Sequence, residues 1–381
     1  MRKILAVTGY RSDYTKLKTV LQEIEKCPDL ELEVVSFGAH ALGDYGNTID
    51  MVKEDKHTIV ANLLTNIEGN TTYAMSKSIG LSVIELSSIL AISNPDLVLL
   101  CADRYETMAA AVAVSVNNIP IAHIQGGELS GTIDEVLRHS ITKLSHIHFP
   151  ATELSKNRII QMGENPEFVF NVGCPAIDYI KSNPYLTRQQ MKDDSFFASL
   201  GLDFDKEYVL LLQHPVTTLS EDFTETLEAV QEIGLQTIMI YPNPDAGCDD
   251  IVKAERDFSN KYGADSVIVG KYKNIDFDKY LNLLKYCRAL VGNSSSGIRE
   301  AYAFNVPVVN IGTRQQNRER SSNVVDASCN REDIKKAYDK HMTLNGVEDN
   351  LYGDGCASQR ITKVLTEVNL EKSLEKLFCE V

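Results

Sequence analysis

Eight cysteines, at 27, 101, 174, 248, 287, 329, 356 and 379, form no CxxC or CxxH pair in the 381 residues, so neither a zinc site nor a disulfide framework is indicated. They read as reduced core or surface thiols. No apolar run approaches the roughly 18 residues of a membrane span. The opening run Met1-Arg-Lys-Ile-Leu-Ala-Val-Thr8 ends at Gly9-Tyr-Arg-Ser-Asp13, too soon for a secretory signal, and is predicted to be the first strand of a cytoplasmic protein. A basic excess is missing as well. With a net charge of −15 the chain shows no basic face for nucleic acid or an anionic membrane, although an anionic small molecule is allowed where a few arginines converge. The first strand–helix turn lacks GxGxxG spacing and GxxxxGKS/T occurs nowhere, which argues against NAD on a standard fingerprint and ATP in a phosphate loop. Short-period repeats, coiled coils and low-complexity segments are likewise absent.

What is present is the composition of a globular protein, 43% apolar and 24% charged, long enough for two domains at roughly 100–200 residues each. Strand-like runs near 3–8, 31–37, 97–101, 119–124, 146–149 and 167–172 alternate with helical patterns such as Leu17, Val20, Leu21 and Ile24. That alternation predicts βαβ units and a mostly parallel sheet. Residues 173–202 lose the pattern and read as the connection. A second alternation follows at 208–212, 237–241, 266–269, 289–291 and 307–311. The α/β chain is therefore divided into an N-terminal doubly wound domain over 1–175, a second over 176–356, and a tail over 357–381 of one or two amphipathic helices carrying Ile361, Val364, Leu365, Val368, Leu374 and Leu377. Two such halves with a cleft between them suit a ligand that bridges domains.

The densest chemistry falls between Leu97 and His148. The buried run Leu97-Val-Leu-Leu-Cys101 stops at Ala102-Asp103-Arg104, so Asp103 and Arg104 sit just past a strand's carboxyl end. Ile119-Pro-Ile-Ala-His-Ile124 reads as the next strand, ending in Gln125-Gly-Gly-Glu128 and a turn to Asp134, after which Ile133, Leu137, Ile141 and Leu144 recur at helical spacing. In open parallel sheets ligands bind outside the carboxyl ends of strands, so Asp103, Arg104, His123, Gln125, Glu128 and Asp134 can face one site. Taken singly, each also fits a solvated loop.

In the second half, Gln213-His214-Pro215 follows a strand directly; an isolated His214 is more often structural. Gly292-Asn-Ser-Ser-Ser-Gly297 stands between a strand and a helix expected to begin near Ile298. Serines and glycines at a helix start offer backbone N–H groups, hydroxyls and the positive end of the dipole, which suits a pyrophosphate beyond what an ordinary cap requires. Glu300 either reaches a ribose or only favours the dipole, and Arg314 either neutralises phosphate or is a solvated loop arginine. Arg11, in the first turn, either meets a phosphate or caps the sheet.

Together these pieces resemble the hydrolysing UDP-N-acetylglucosamine 2-epimerases of sialic acid biosynthesis. The resemblance runs through Thr8-Gly-Tyr-Arg-Ser-Asp-Tyr14, Ala102-Asp-Arg104, His123 to Asp134, Arg138-His-Ser-Ile-Thr-Lys143, Gln213-His-Pro-Val-Thr217, Asn293 to Glu300 and Gly312-Thr-Arg-Gln315. It implies two Rossmann-like domains of the glycosyltransferase-B kind, with UDP mostly on the second and chemistry in the cleft. It also implies UDP contacts at Arg11, Arg104, His214, Asn243, Ser294, Ser295, Glu300 and Arg314, and carboxylates at Asp103 and Asp134. A homo-oligomer fits the family, and no metal or other cofactor is required.

The implied reaction removes the C2 proton of the sugar while UDP leaves C1, giving a glycal. Water then adds with a proton delivered to the opposite face, yielding UDP and N-acetylmannosamine. Two faces need at least two proton-transfer groups. One position departs from the pattern. Relatives with His-Ile-Glu-Gly-Gly-Glu carry a carboxylate where this chain has Gln125, so that role moves to Glu128, Asp134 or His123, or the substrate differs. The same-class alternative is UDP-2,4-diacetamido-2,4,6-trideoxyglucose, on the way to legionaminic acid. Non-hydrolysing epimerases resemble a His-x-Glu-Ala-Gly pattern where this chain has Gly126-Gly127, and rank lower. A glycosyltransferase of the same fold ranks lower still. From another class, a non-catalytic nucleotide-sugar sensor is motivated by Gln125 alone, and Asp103, Glu128 and Asp134 together argue against it.

Overall fold

The computed structural model describes residues 1–41, 49–67, 69, 71–130, 133–216, 222–242, 247–342 and 350–380. The chain divides into two compact units, one formed by Met1–Glu128, Ile133–Ser182 and Asn350–Val381, the other by Leu129–Thr132 and Asn183–Asp349.

The first unit holds six parallel strands: β1 (Arg2–Thr8), β2 (Leu30–Ser36), β3 (Ile59–Asn62), β4 (Leu97–Cys101), β5 (Ile121–Ile124) and β6 (Ile147–Phe149), in the order β3-β2-β1-β4-β5-β6. Continuous apolar runs suit strands covered on both faces. Side chains alternate between two cores, as the strand period of two demands. Ile4, Ala6, Leu97 and Leu99 pack with Leu17 and Leu21 of the helix Arg11–Lys26. Leu5, Val7, Val98 and Leu100 pack on the opposite face with Leu86 and Leu90 of the helix Thr72–Ser93. By length and composition that helix is apolar enough to cross a membrane, a property that reading continuous apolar runs did not bring out.

The expected boundary at 175 moves to Ser182, and residues 350–356 leave the second domain for the first. Asp178, on the helix Pro175–Ser182, is the physical reason. Its carboxylate accepts the amides of Ala357 (3.0 Å) and Ser358 (2.6 Å) at the start of the helix Ala357–Glu367. Ile361 and Leu365 of that helix are buried in the first core, so the tail is part of the first unit.

The second unit repeats the plan with β7 (Tyr208–Leu212), β8 (Gln236–Ile240), β9 (Ile268–Tyr272), β10 (Ala289–Gly292), β11 (Val308–Ile311) and β12 (Val324–Ala327), all parallel in the order β12-β11-β10-β7-β8-β9. Numbered within its own unit, each sheet has strand order 3-2-1-4-5-6, the doubly wound Rossmann order. The predicted strand at 167–172 is instead a 3₁₀ turn, Pro166–Phe168, capped by Asn165, followed by a single bridge from Val169 to His148. The edge strands β3 and β12 were not foreseen.

Candidate active site

In the first unit the strand order reverses between β1 and β4, and polar residues collect at the carboxyl ends of β1, β4 and β5. Asp13 closes the turn after β1 by accepting Thr8 Oγ1 (2.6 Å) and the amides of Gly9 (2.9 Å) and Tyr10 (3.2 Å). Arg11 stands at the first position of the helix that follows. Tyr10 lies under the Arg104 guanidinium, 4.6 Å from ring centroid to Cζ, and Arg104 Nε donates to the buried Glu106 at 3.1 Å. Arg104 is thus held between Tyr10 of the turn after β1 and Glu106, a partner that the sequence did not single out.

Asp103 follows Ala102, which adopts φ +67°, and Gln125 after β5 does the same. Left-handed conformations at non-glycine residues cost on the order of 1–3 kcal/mol and cluster at functional sites. His123, fully buried on β5, supports the first of them. Its Nε2 lies 2.8 Å from the Ala102 carbonyl oxygen, so this nitrogen carries the proton and donates. Burial pushes the imidazole down to about 4, and the bond to Ala102 only partly opposes that. His123 is therefore a neutral ring inside the protein that braces the backbone bearing Asp103.

Gln125 is buried too. Its amide donates to Cys174 Sγ at 2.9 Å, and its Oε1 has no hydrogen-bond partner among the described residues. Gly126 and Gly127 let the turn pass close to its neighbours. A Cβ on Gly126 would lie 3.0 Å from Thr142 Oγ1, and one on Gly127, at φ +76°, 2.2 Å from the Ser155 carbonyl oxygen. Glu128 is buried at the end of this turn and Asp134 is half-buried in the first turn of the helix Ile133–Leu144; residues 131 and 132 lie outside the described residues.

Between them stands Arg138, which the motif match contained but no site reading selected. Its Nε (3.0 Å) and Nη2 both donate to Asp103 Oδ2, and Nη1 donates to the Glu128 carbonyl at 2.8 Å. Its place four residues after Asp134 on one helix was the available signal. Asp103, Glu128 and Asp134 all act electrostatically on its guanidinium.

In the second unit the strand order reverses between β7 and β10, and Asn293 joins their ends. It accepts the His214 amide (2.7 Å), donates to the His214 carbonyl (2.9 Å), and its own amide donates to Leu212 (3.2 Å). Gly292, at φ +139°, makes this possible, since a Cβ there would lie 2.1 Å from the Leu212 carbonyl oxygen. His214 lines a cavity of about 590 Å³ with Gln213, Pro215, Phe223 and Gly247.

The helix expected near Ile298 begins earlier, at Ser295, and is broken at Arg299 into Ser295–Ile298 and Glu300–Ala303. Ser294 is its N-cap, accepting the Ser296 amide at 3.2 Å. Ser296 Oγ lies 2.6 Å from the Tyr280 hydroxyl. Glu300 is buried, and its Oε2 has no hydrogen-bond partner among the described residues. Arg314 Nη1 (3.3 Å) and Gln315 Nε2 (2.9 Å) donate to the Asn293 carbonyl, so the loop after β11 folds onto the serine turn. His214, Ser294, Ser295 and Arg314 are therefore brought together around Asn293. Asn243 lies outside the described residues.

A family model described as UDP-N-acetylglucosamine 2-epimerase matches residues 22–366. The chain is 37% identical over 379 residues to the hydrolysing UDP-N,N'-diacetylbacillosamine 2-epimerase of Legionella pneumophila, covering 98% of each. It is 33% identical over 372 residues to the UDP-N-acetylglucosamine 2-epimerase of Neisseria meningitidis, covering 97% of this chain and 95% of that one. Among solved structures, the Methanocaldococcus jannaschii UDP-GlcNAc 2-epimerase in complex with UDP-GlcNAc and UDP is similar in fold, with a TM-score of 0.79 at 21% identity over 96% of this chain and 100% of that one.

Proposed function

The chain belongs to the UDP-N-acetylglucosamine 2-epimerase family, and from that membership we propose that it hydrolyses a UDP-2-acetamido sugar to UDP and the free 2-epimer. The observation that carries the proposal is the gathering of Asp103, Glu128 and Asp134 about Arg138 at the carboxyl ends of β4 and β5. Inverting C2 takes a proton from one face and returns one to the other. A single carboxylate cannot serve both faces from a fixed position, and this cluster supplies more than one.

The first step breaks the C2–H and C1–O bonds, with the proton passing to a carboxylate and the electron pair of the C1–O bond leaving on UDP. In the second, water bonds to C1 of the glycal through its oxygen and gives up a proton to a carboxylate, while a protonated carboxyl group delivers a proton to C2 from the opposite side. Asp103 and Asp134 are assigned the two transfers, with Glu128 beside them. His123 and Gln125, both buried, are assigned to holding the strand ends and orienting the sugar. Arg11, Arg104, His214, Asn243, Ser294, Ser295, Glu300 and Arg314 are assigned to UDP, where cations and N–H groups stabilise the departing phosphate. Elimination followed by hydration is redox-neutral overall and calls on no redox cofactor.

Two features support the hydrolysing branch. The Legionella relative is named as hydrolysing. The chain also has Gly126-Gly127 where non-hydrolysing epimerases resemble an Ala-Gly pattern. UDP-N-acetylglucosamine, giving N-acetylmannosamine, is the first substrate reading. UDP-N,N'-diacetylbacillosamine is the second, favoured by the 37% identity to the Legionella enzyme. Phosphorus and proton NMR of the products from each sugar nucleotide tests the reading. Free UDP with a free 2-epimer is expected from one of them. A UDP-linked epimer would assign the chain to the non-hydrolysing branch, and unaltered sugar nucleotide in both cases would leave a binding protein.

A further inference from the structure

Arg138 is the largest fully buried side chain among the described residues, and its guanidinium holds both the Asp103 carboxylate and the Glu128 carbonyl. Burying a guanidinium carries a desolvation penalty that an ion pair does not necessarily recover, and a buried pair is weak evidence for stability alone. The exposures of the pair are unequal. The Arg138 side chain is 1% exposed and that of Asp103 20%, so the acid reaches the surface of the site with the arginine behind it. A substrate meets the carboxylate and not the cation.

The contacts are also specific in direction. Nε and Nη2 converge on the single oxygen Oδ2, which fixes the rotation of the Asp103 carboxylate as well as its position. Nη1 holds the Glu128 carbonyl, the last residue of the double-glycine turn. One side chain on the helix Ile133–Leu144 thereby ties the end of β4 to the end of β5 and to the helix that carries Asp134.

We propose that Arg138 is the positioning residue of the proton-transfer cluster: from behind, it sets the direction of the Asp103 carboxylate, holds its negative charge, and keeps Asp103, Glu128 and Asp134 in fixed relation. The inference rests on the epimerase reading for what the acids do, but not for how Arg138 holds them. Every charged or titratable group that faces this pair enters the balance. Glu128 and Asp134 add negative charge on the arginine, His123 on β5 is a neutral ring, and on the helix side His139 and Arg158 flank it, with Arg158 donating to the Gly127 carbonyl at 2.6 Å. Removing the Arg138 charge leaves Asp103 facing two other acids, which raises its affinity for a proton.

The test uses the full chain and two variants, Arg138→Lys and Arg138→Met, with two readouts. The first is the titration of the Asp103 carboxyl carbon by NMR without substrate, assigned by its loss in Asp103→Asn. It is expected to rise by about one unit or more in Arg138→Met and to stay near the wild-type value in Arg138→Lys, because the cation persists. The second is the pH profile of kcat and KM. In Arg138→Met, kcat is expected to fall by about 10²-fold with KM within about threefold, and the acid limb to move up with the carboxyl titration; in Arg138→Lys, kcat falls about tenfold with no shift of the limb, because a single ammonium cannot reproduce the two-pronged contact. An Asp103 titration that is the same in the wild type and Arg138→Met would overturn the proposal. So would full kcat in Arg138→Lys, which decides the matter if Arg138→Met does not fold. A wild-type chain that turns over no UDP-sugar refutes the epimerase reading instead, and the carboxyl titration still decides the role of Arg138.

Discussion

Asp103 and Gln125 sit at neighbouring strand ends, and what separates their roles is environment. Asp103 is partly exposed on a guanidinium, whereas Gln125 is buried against a thiol. Asp103→Asn and Asp134→Asn are expected to lower turnover by about 10²–10⁴-fold while UDP affinity stays within about threefold, since each removes a proton carrier and no nucleotide contact. Near-normal turnover in both would remove them from the chemistry. Gln125→Glu restores the residue that relatives carry, but sets a carboxylate beside Cys174 in a buried position, where desolvation raises its pKa. A lower melting temperature and no large gain in kcat are expected; a gain of several orders of magnitude would mean that the natural side chain suppresses an intact mechanism.

His123 also makes a pH prediction at this scale. Its folded value of about 4 lies below its ordinary 6.5, so on acidification the unfolded chain takes up the proton first. That contribution to stability is complete above about 6.5 and is lost as pH falls through about 4. His146, lowered to about 4 chiefly by burial, acts in the same window. Calorimetry should find the melting temperature falling between pH of about 6.5 and 5, before most carboxylates titrate. A flat profile there would contradict the assignment of these rings as neutral in the folded chain. Residue types were legible in the sequence at this scale, but orientation was not. His123 and Gln125 look like Asp103 in a list of polar strand-end residues, and only the burial of β5 on both faces and the Cys174 contact of the turn after it take them inward.

Among the elements, the interior strands were legible because β4 and β7 are unbroken apolar runs flanked by turn formers. The edges were not. β3 is half-buried with an alternating pattern and β12 has no buried residue, as befits strands with one neighbour, and at four residues each they are too short to carry a clear period. The predicted strand at 167–172 failed for a related reason: Pro166 starts a tight turn under the Asn165 cap, and the chain beyond it makes a single bridge, Val169 to His148, rather than a ladder. The serine turn was read correctly as a helix start, yet its organiser is Asn293, whose side chain joins β7 to β10 across 79 residues of sequence, a long-range pairing that no local pattern announces. Asn293→Ala should leave the buried His214 amide and carbonyl without those partners, at about 1–3 kcal/mol for each orphaned group, and weaken UDP binding at least tenfold, about 1.4 kcal/mol. Arg314→Ala should cost UDP binding about 1.5–3 kcal/mol without unfolding the chain. Titration calorimetry with unchanged UDP affinity in both variants would reduce the serine turn to a helix cap.

At the scale of the whole molecule, each unit builds the same strand order, and each puts polar residues where that order reverses. The alternation of strands and helices announced this plan. The boundary was misplaced because the tail returns to the first unit through Asp178, whose bonds span 179 and 180 residues of sequence, and through Ile361 and Leu365, which pack in the first core. Under the function proposed above, proton transfer belongs to the first unit and most nucleotide contacts to the second, with C2 deprotonated and reprotonated while UDP is lost to water. Turnover of the accepted UDP-sugar in deuterated water, followed by proton NMR and mass analysis of the released sugar, tests this most directly. One deuterium at C2 of a free 2-epimer, in step with release of UDP, is expected. A free sugar that keeps its original hydrogen at C2, or a deuterated epimer still joined to UDP, would contradict it.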